Sequence, residues 1–145
     1  MAFEAVPRPV PLAVASAQEA LPLVLLIDDE PMVGRFFAHA VEEYGYRALA
    51  TISAESFQRE YKLLRPDILA LDLAIPGADG IELLRFLARE KCRAPIIIVS
   101  GHDRRVLDSA MRLGETLGLR MAGPLAKPVR YDAIAGLLDS LKVLG

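Results

Sequence analysis

The run Leu23-Val24-Leu25-Leu26-Ile27-Asp28-Asp29 sets five unbroken apolar residues against two carboxylates, and its reading decides the fold. A strand with one wet face alternates apolar and polar residues. A strand that stays apolar throughout must be covered on both faces, as in a parallel sheet flanked by helices. Four further runs read the same way: Tyr46 to Ile52, Ile68 to Leu71, Ile96 to Val99 and roughly Leu119 to Leu125. They predict five strands.

Helical periodicity fills the intervals. Val33, Phe36, Phe37, Ala40, Val41 and Tyr44 recur at i, i+3, i+4, i+7, i+8 and i+11, leaving Arg35, His39 and Glu42 on the wet side and Gly45 as the C-terminal cap. Ser53 or Ala54 opens a second helix with Phe57, Tyr61 and Leu64 inward, and Asp79 with Glu82 forms a capping box for a third. The fourth, behind Asp103, turns Val106, Leu107, Ala110, Leu113 and Leu117 inward, and the fifth turns Ile134, Leu137, Leu138, Leu141 and Leu144. Strict strand-helix alternation gives an α/β, doubly wound parallel sheet whose ligands sit beyond the C-terminal strand ends.

Composition narrows the function classes. The chain has 145 residues with 53% apolar content, enough for one closed core. Its 17 Lys/Arg against 19 Asp/Glu give a net charge of −2, so no positive field calls for direct nucleic-acid binding. The one cysteine, Cys92, excludes an internal disulfide and suits a reducing compartment, which places the expected location in the cytoplasm. No apolar stretch approaches the roughly 20 residues of a membrane helix. Four of the ten prolines fall in the first 22 residues, so residues 1–22 read as an extension and 23–145 as the folded domain. Glu4, Pro7, Pro9 and Pro11 interrupt any signal-peptide pattern there.

The predicted strand ends carry Asp28 and Asp29 after the first, Asp72 on the third, Ser100 after the fourth and Lys127 after the fifth; the second offers nothing comparable. A single strand-ending Asp is ordinarily a cap or turn residue. Three on one edge are different, because two such charges about 4 Å apart repel by roughly 1–4 kcal/mol. A hard divalent cation offsets that repulsion, and Mg²⁺, which takes carboxylate, water and phosphate oxygens, is the expected cofactor. A Lys ammonium and a Ser hydroxyl suit two phosphoryl oxygens. Asp72, inside the apolar run of a central strand, is then the candidate nucleophile for an aspartyl phosphate, with Asp28 and Asp29 holding metal.

The segments Leu25-Leu26-Ile27-Asp28-Asp29-Glu30, Leu71-Asp72-Leu73-Ala74-Ile75-Pro76-Gly77-Ala78-Asp79-Gly80, Val99-Ser100-Gly101 and Lys127-Pro128 closely resemble the four signatures of CheY-like response-regulator receiver domains. Asp29, Asp72, Ser100 and Lys127 follow at intervals of 43, 28 and 27 residues, and the resemblance covers about Leu23 to Leu144. It implies a flavodoxin-like (βα)5 sheet of order 2-1-3-4-5 and a two-component phosphorelay switch rather than an enzyme. Asp72 would accept a phosphoryl group from a phosphohistidine of a sensor histidine kinase or histidine phosphotransfer protein. Asp29, Asp28 largely through water, Asp72 and the backbone carbonyl of Ala74 would hold Mg²⁺. Ser100 and Lys127 would contact the phosphoryl group and couple its arrival to the surface of the last two strand-helix units.

One position departs from the family. Where it carries Tyr or Phe three residues before the Lys, this chain has Pro124 after Gly123, and no aromatic ring can rotate there. Proline also removes a strand donor and belongs at a sheet edge. The alternative reading is therefore a receiver-like interaction module, dimerising through its fourth and fifth helices, whose phosphoryl switch is lost. Gly118 to Pro128 also resembles, more weakly, receivers joined to cyclic-dinucleotide phosphodiesterase domains. A hydrolase of the Asp-x-Asp type is disfavoured, since Ala74 stands where the second carboxylate belongs.

Smaller features have bland readings beside functional ones. His102, two residues past Ser100, can face a phosphoryl group or simply be a solvated loop residue. Cys92 reads as a structural thiol. Arg104 and Arg105 open the fourth helix against its dipole and read as a solvated face or a partner contact.

Overall fold

The computed structural model describes residues 21–75, 78–101 and 104–144. Its order is β1 (Leu23–Ile27), α1 (Pro31–Glu43), β2 (Arg47–Thr51), α2 (Ala54–Leu64), β3 (Ile68–Asp72), β4 (Ala74–Ile75), β5 (Ala78–Asp79), α3 (Gly80–Arg89), β6 (Ile96–Ser100), α4 (Arg104–Thr116), β7 (Met121–Ala126) and α5 (Tyr131–Leu144). Five strands form one parallel sheet in the order β2-β1-β3-β6-β7, the expected 2-1-3-4-5 arrangement when the principal strands are counted. The β4/β5 pair is a small antiparallel sheet that periodicity did not predict. Two paired residues per strand are too few for a period-two signal.

The apolar strands split by residue parity onto the two faces of the sheet. Leu25, Ile27, Leu69, Leu71, Ile96 and Ile98 pack with Phe57 of α2, Leu83, Leu84 and Leu87 of α3 and Leu107 of α4. Val24, Leu26, Ala70, Ile97 and Val99 pack with Phe37 and Val41 of α1 and Ile134 and Leu138 of α5. β1, β3 and β6 are buried throughout. β2 and β7 are not, because an edge strand lacks a neighbour on one side. Ser53 caps α2 by accepting the Ser56 N–H at 3.1 Å, and Gly45, at φ +88°, follows α1 in the left-handed conformation that ends it.

Three inward assignments fail. Phe36 (41% exposed), Leu64 (42%) and Val106 (44%) face solvent, each at the margin of its helix's apolar stripe rather than at its centre. Residues 1–20, Pro76, Gly77, His102, Asp103 and Gly145 lie outside the described residues, as do the side chains of Asp79 and Leu144.

Gly80 starts α3 against the exit of β3. A Cβ there would meet the Leu73 backbone, with Cα at 3.0 Å and the carbonyl oxygen at 3.2 Å, in addition to Leu73 Cδ2 at 2.9 Å. Because backbone cannot swing aside as a flexible side chain can, Gly80→Ala is expected to destabilise the domain by about 1–3 kcal/mol. The urea midpoint measures this, and an unchanged midpoint would show that the Leu73 turn yields freely.

Candidate functional site

The strand order reverses between β1 and β3, and the C-terminal ends of these neighbours carry Asp28 and Asp72. Both carboxylates are buried, at 4% and 3% exposure. Each is fixed by the same local device: Asp28 Oδ1 accepts the Glu30 N–H at 2.9 Å, and Asp72 Oδ1 accepts the Ala74 N–H at 3.0 Å. These Asx turns end the strands and point both Oδ2 atoms toward Lys127. Lys127 Nζ lies 3.0 Å from Asp28 Oδ2, 3.1 Å from Asp72 Oδ2 and 2.9 Å from Glu30 Oε1. Asp29, the least buried of the three aspartates, completes a set whose oxygens lie within 4.8 Å of one another.

The electrostatics follow from this crowding. Burial pushes the Asp28 carboxyl above the ordinary Asp value and nearby Asp72 adds to it, while the Glu30 N–H and Lys127 work against the rise. For Lys127, burial alone would favour the neutral amine. Hydrogen bonds to Glu30, Asp28 and Asp72 outweigh it and hold the ammonium above the ordinary lysine range, so it stays charged through neutral pH.

An open cleft of about 440 Å³ is lined by Asp29, Glu30, Asp72, Ala74, Gly101 and Lys127. Ser100 is fully buried at the end of β6, its carbonyl accepting the Lys127 N–H at 3.1 Å, and Gly101 forms the cleft wall at that end. The structure thus gathers Asp28, Asp29, Asp72, Ala74 and Lys127, with Ser100 directly behind. It also shows two contributors that the strand-end reading passed over. Glu30 shares the Lys127 ammonium; the carboxylate directly following Asp28-Asp29 was the signal for it. Thr51 closes the edge strand β2, where the sequence offered no charge. Its buried hydroxyl donates to the Leu26 carbonyl at 2.8 Å and its own carbonyl accepts the Asp28 N–H at 3.1 Å, so β2 positions Asp28 from the side.

At the position of the missing aromatic, β7 bulges. Ile97 pairs with Ala122 and Val99 with Leu125, so Gly123 and Pro124 together oppose Ile98. Gly123 takes φ +89°, a conformation that glycine adopts freely, and Pro124 faces outward on an edge strand, where its lost donor costs no ladder bond.

The donor set suits a hard divalent cation: it is all oxygen, crowded beyond what one ammonium balances, and open to water on the cleft side. An acidic pocket with a half-buried lysine at the switch point of a doubly wound sheet defines a class of α/β modules that take their ligands at the carboxyl ends of the strands. Within that class the chain belongs to the response regulator receiver domain family, whose family model matches residues 24–139. It is 33% identical over 119 residues to the Positive alginate biosynthesis regulatory protein of Pseudomonas aeruginosa, covering 79% of this chain and 45% of that protein. The KDP operon transcriptional regulatory protein KdpE of Escherichia coli is 39% identical over 83 residues, 55% of this chain and 35% of that one. The chain spans less than half the length of these curated relatives. A response regulator from Colwellia psychrerythraea superposes with a TM-score of 0.72 at 31% identity, covering 87% of this chain and all of that one. The chemotaxis response regulator CheY4 of Vibrio cholerae, at 16% identity and TM-score 0.72 over 83% of this chain and 98% of that one, shares the fold.

Proposed function

We propose that the chain is a phosphoacceptor switch in which Asp72 receives a phosphoryl group. The observation that carries this reading is the geometry of Asp72: a buried carboxylate fixed by the Ala74 N–H and facing a lysine at 3.1 Å, at the floor of an open acidic cleft. An Asp72 oxygen attacks the phosphorus of a phosphohistidine. The P–O bond forms as the P–N bond breaks, and the electron pair leaves with the imidazole, which takes up a proton. Lys127 meets the phosphoryl oxygens, with Ser100 reaching them from the strand end behind the cleft. Asp28, Asp29, Asp72 and the Ala74 carbonyl would hold Mg²⁺, which when bound neutralises phosphoryl charge. The chain assists its own phosphorylation and dephosphorylation and is otherwise a regulator, not an enzyme.

The phosphodonor is a sensor histidine kinase or histidine phosphotransfer protein. A small donor needs only the cleft, whereas the neighbouring surface carries exposed Met32 (76%) and Phe36 (41%) on α1, which suit a protein. Residues 23–145 form the receiver and 1–22 an extension, consistent with β1 starting at Leu23. Among the described residues no helix is long and apolar enough to cross a membrane. The proposed cytoplasmic location rests on the lone Cys92, which suits a reducing compartment. The test is incubation with a small phosphodonor: one phosphoryl adduct with Mg²⁺, and none under chelation. An adduct that persists under chelation contradicts the metal-dependent reading.

The raised Asp28 carboxyl gives a pH dependence. Below the unfolded carboxylate value both states are protonated; as pH rises through the higher folded value the carboxylate ionises at a cost, so this group's share of stability is lost with rising pH. Mg²⁺ needs the ionised form. Its affinity is expected to start falling, on acidification, at a higher pH than an ordinary Asp would give. Calorimetric titration between pH 7 and 4 checks this, with Asp28→Asn removing the early fall.

A second reading rests on the Gly123-Pro124 bulge, which leaves β7 without a rotating ring. In it, the fourth and fifth helices form a dimer surface that operates without phosphate. Backbone spectra with and without a phosphoryl mimic separate the two: a shift across residues 100–127 favours the switch, and no shift favours the module.

A further inference from the structure

At the N-terminal edge of the sheet, on the pole away from Asp72, a cleft of about 560 Å³ opens between the ends of α2 and α3. Lys62, Arg65, Lys91 and Arg93 line it, against one carboxylate, Glu90. In a chain of net charge −2 this is a concentrated positive site. The Lys62–Glu90 pair, at 4.0 Å, is the only ion pair within it among the described residues; Arg65, Lys91 and Arg93 form none there.

Two of these cations also stand where the backbone disfavours them. Arg65, at φ +49°, and Lys91, at φ +57°, are the only described residues other than glycine in the left-handed region. Both follow helix ends, where glycine or asparagine is the ordinary choice. Helix dipoles account for some positive charge at such ends. They do not account for four cations around one concavity with a single carboxylate between them. Apolar surface lies between the charges: Tyr61, half-buried and packed edge-on against Phe86 with ring centroids 5.7 Å apart, lines the cleft beside Ala94 and the buried Pro66.

We infer that this cleft is a binding site for a small phosphate-bearing polyanion, with Arg65, Lys91 and Arg93 meeting the phosphate oxygens. Guanidinium forks and ammonium groups are the side chains that phosphate recognition uses. The cleft's volume lies in the range of small-molecule sites and exceeds what a lone phosphate fills. A nucleotide polyphosphate can lay its base against the half-buried Tyr61 ring, whereas inorganic pyrophosphate uses the cationic rim alone. The site is independent of Asp72, so the ligand and the phosphoryl group can be held together.

The experiment titrates ATP and, separately, pyrophosphate into the full chain at low salt with chelator present, following backbone amide shifts. The expected result is saturable binding with shifts centred on residues 61–66 and 90–94, tighter for ATP if the Tyr61 ring is used and equal for both if only the rim is. The double variant Arg65→Gly/Lys91→Gly removes two cations at positions where glycine relieves the backbone, so it keeps the fold. It is expected to weaken binding by about tenfold or more, with no loss of melting temperature. Three results would overturn the inference: no saturable binding of either probe, shifts confined to the Asp72–Lys127 cleft, or undiminished affinity in the double variant.

Discussion

Asp72→Asn is expected to abolish phosphoryl acceptance, leaving no adduct under conditions that label the wild-type chain fully. Asn preserves the shape of the side chain, and its oxygen can still accept the Ala74 N–H at the 3.0 Å now spanned by Oδ1. An amide is not a competent nucleophile toward phosphorus, however, and the variant gives up one of the oxygens that crowd the cleft. Stability should move the other way. With Asp72 neutral, Lys127 faces Asp28 and Glu30 alone, so the repulsion between the buried aspartates disappears while the ammonium keeps two partners. Intact-mass measurement reads the first effect and a thermal melt in chelator reads the second. A surviving adduct in the variant would move the acceptor elsewhere.

Lys127→Ala carries the largest expected effect on stability. One ammonium, 18% exposed, holds Asp28 and Asp72, at 4% and 3%, with Glu30 at the rim. Removing it leaves two buried carboxylates without a counter-charge. Breaking such a pair from one side costs several kcal/mol, and because this cleft admits water the expected loss is about 2–4 kcal/mol at neutral pH. The loss should shrink as pH falls and Asp28, whose carboxyl burial raises, takes up its proton, and Mg²⁺ should restore part of it. Phosphoryl transfer should slow by orders of magnitude, since in the proposed switch Lys127 is the cation that meets the transferred group. Denaturation midpoints at pH 7 and pH 4, each with and without Mg²⁺, check the stability part; equal midpoints for variant and wild type at pH 7 without Mg²⁺ would show that the lysine is not the counter-charge described.

The sheet was legible in the sequence because a parallel strand covered on both faces leaves an unmistakable apolar run, as at Leu23 to Ile27 and Ile96 to Val99. Edge strands were less so. β2 and β7 are half exposed, so their composition says less, and the bulge at Gly123-Pro124 depends on pairing with Ile98 that no local pattern encodes. The charged members of the site were legible for a related reason. A carboxylate directly after a buried strand is conspicuous, and the doubly wound topology places all such ends on one edge. What composition could not supply was orientation. That Asp28 and Asp72 share one backbone device, that both offer Oδ2 to a single ammonium, and that Thr51 steadies Asp28 from an uncharged strand end are facts of three-dimensional pairing. Phe36 and Val106 failed for the opposite reason: periodicity marks which face a residue shares, and the depth of burial at the edge of that face depends on what packs there.

The central claim is that Asp72 is the phosphoacceptor, and peptide mapping of the phosphorylated wild-type chain tests it most directly. After labelling with a small phosphodonor and Mg²⁺, the account predicts a single acid-labile phosphoryl group on the peptide that contains Asp72. A label on Asp28, Asp29 or a histidine, or a chain that takes up no label at all, would contradict it.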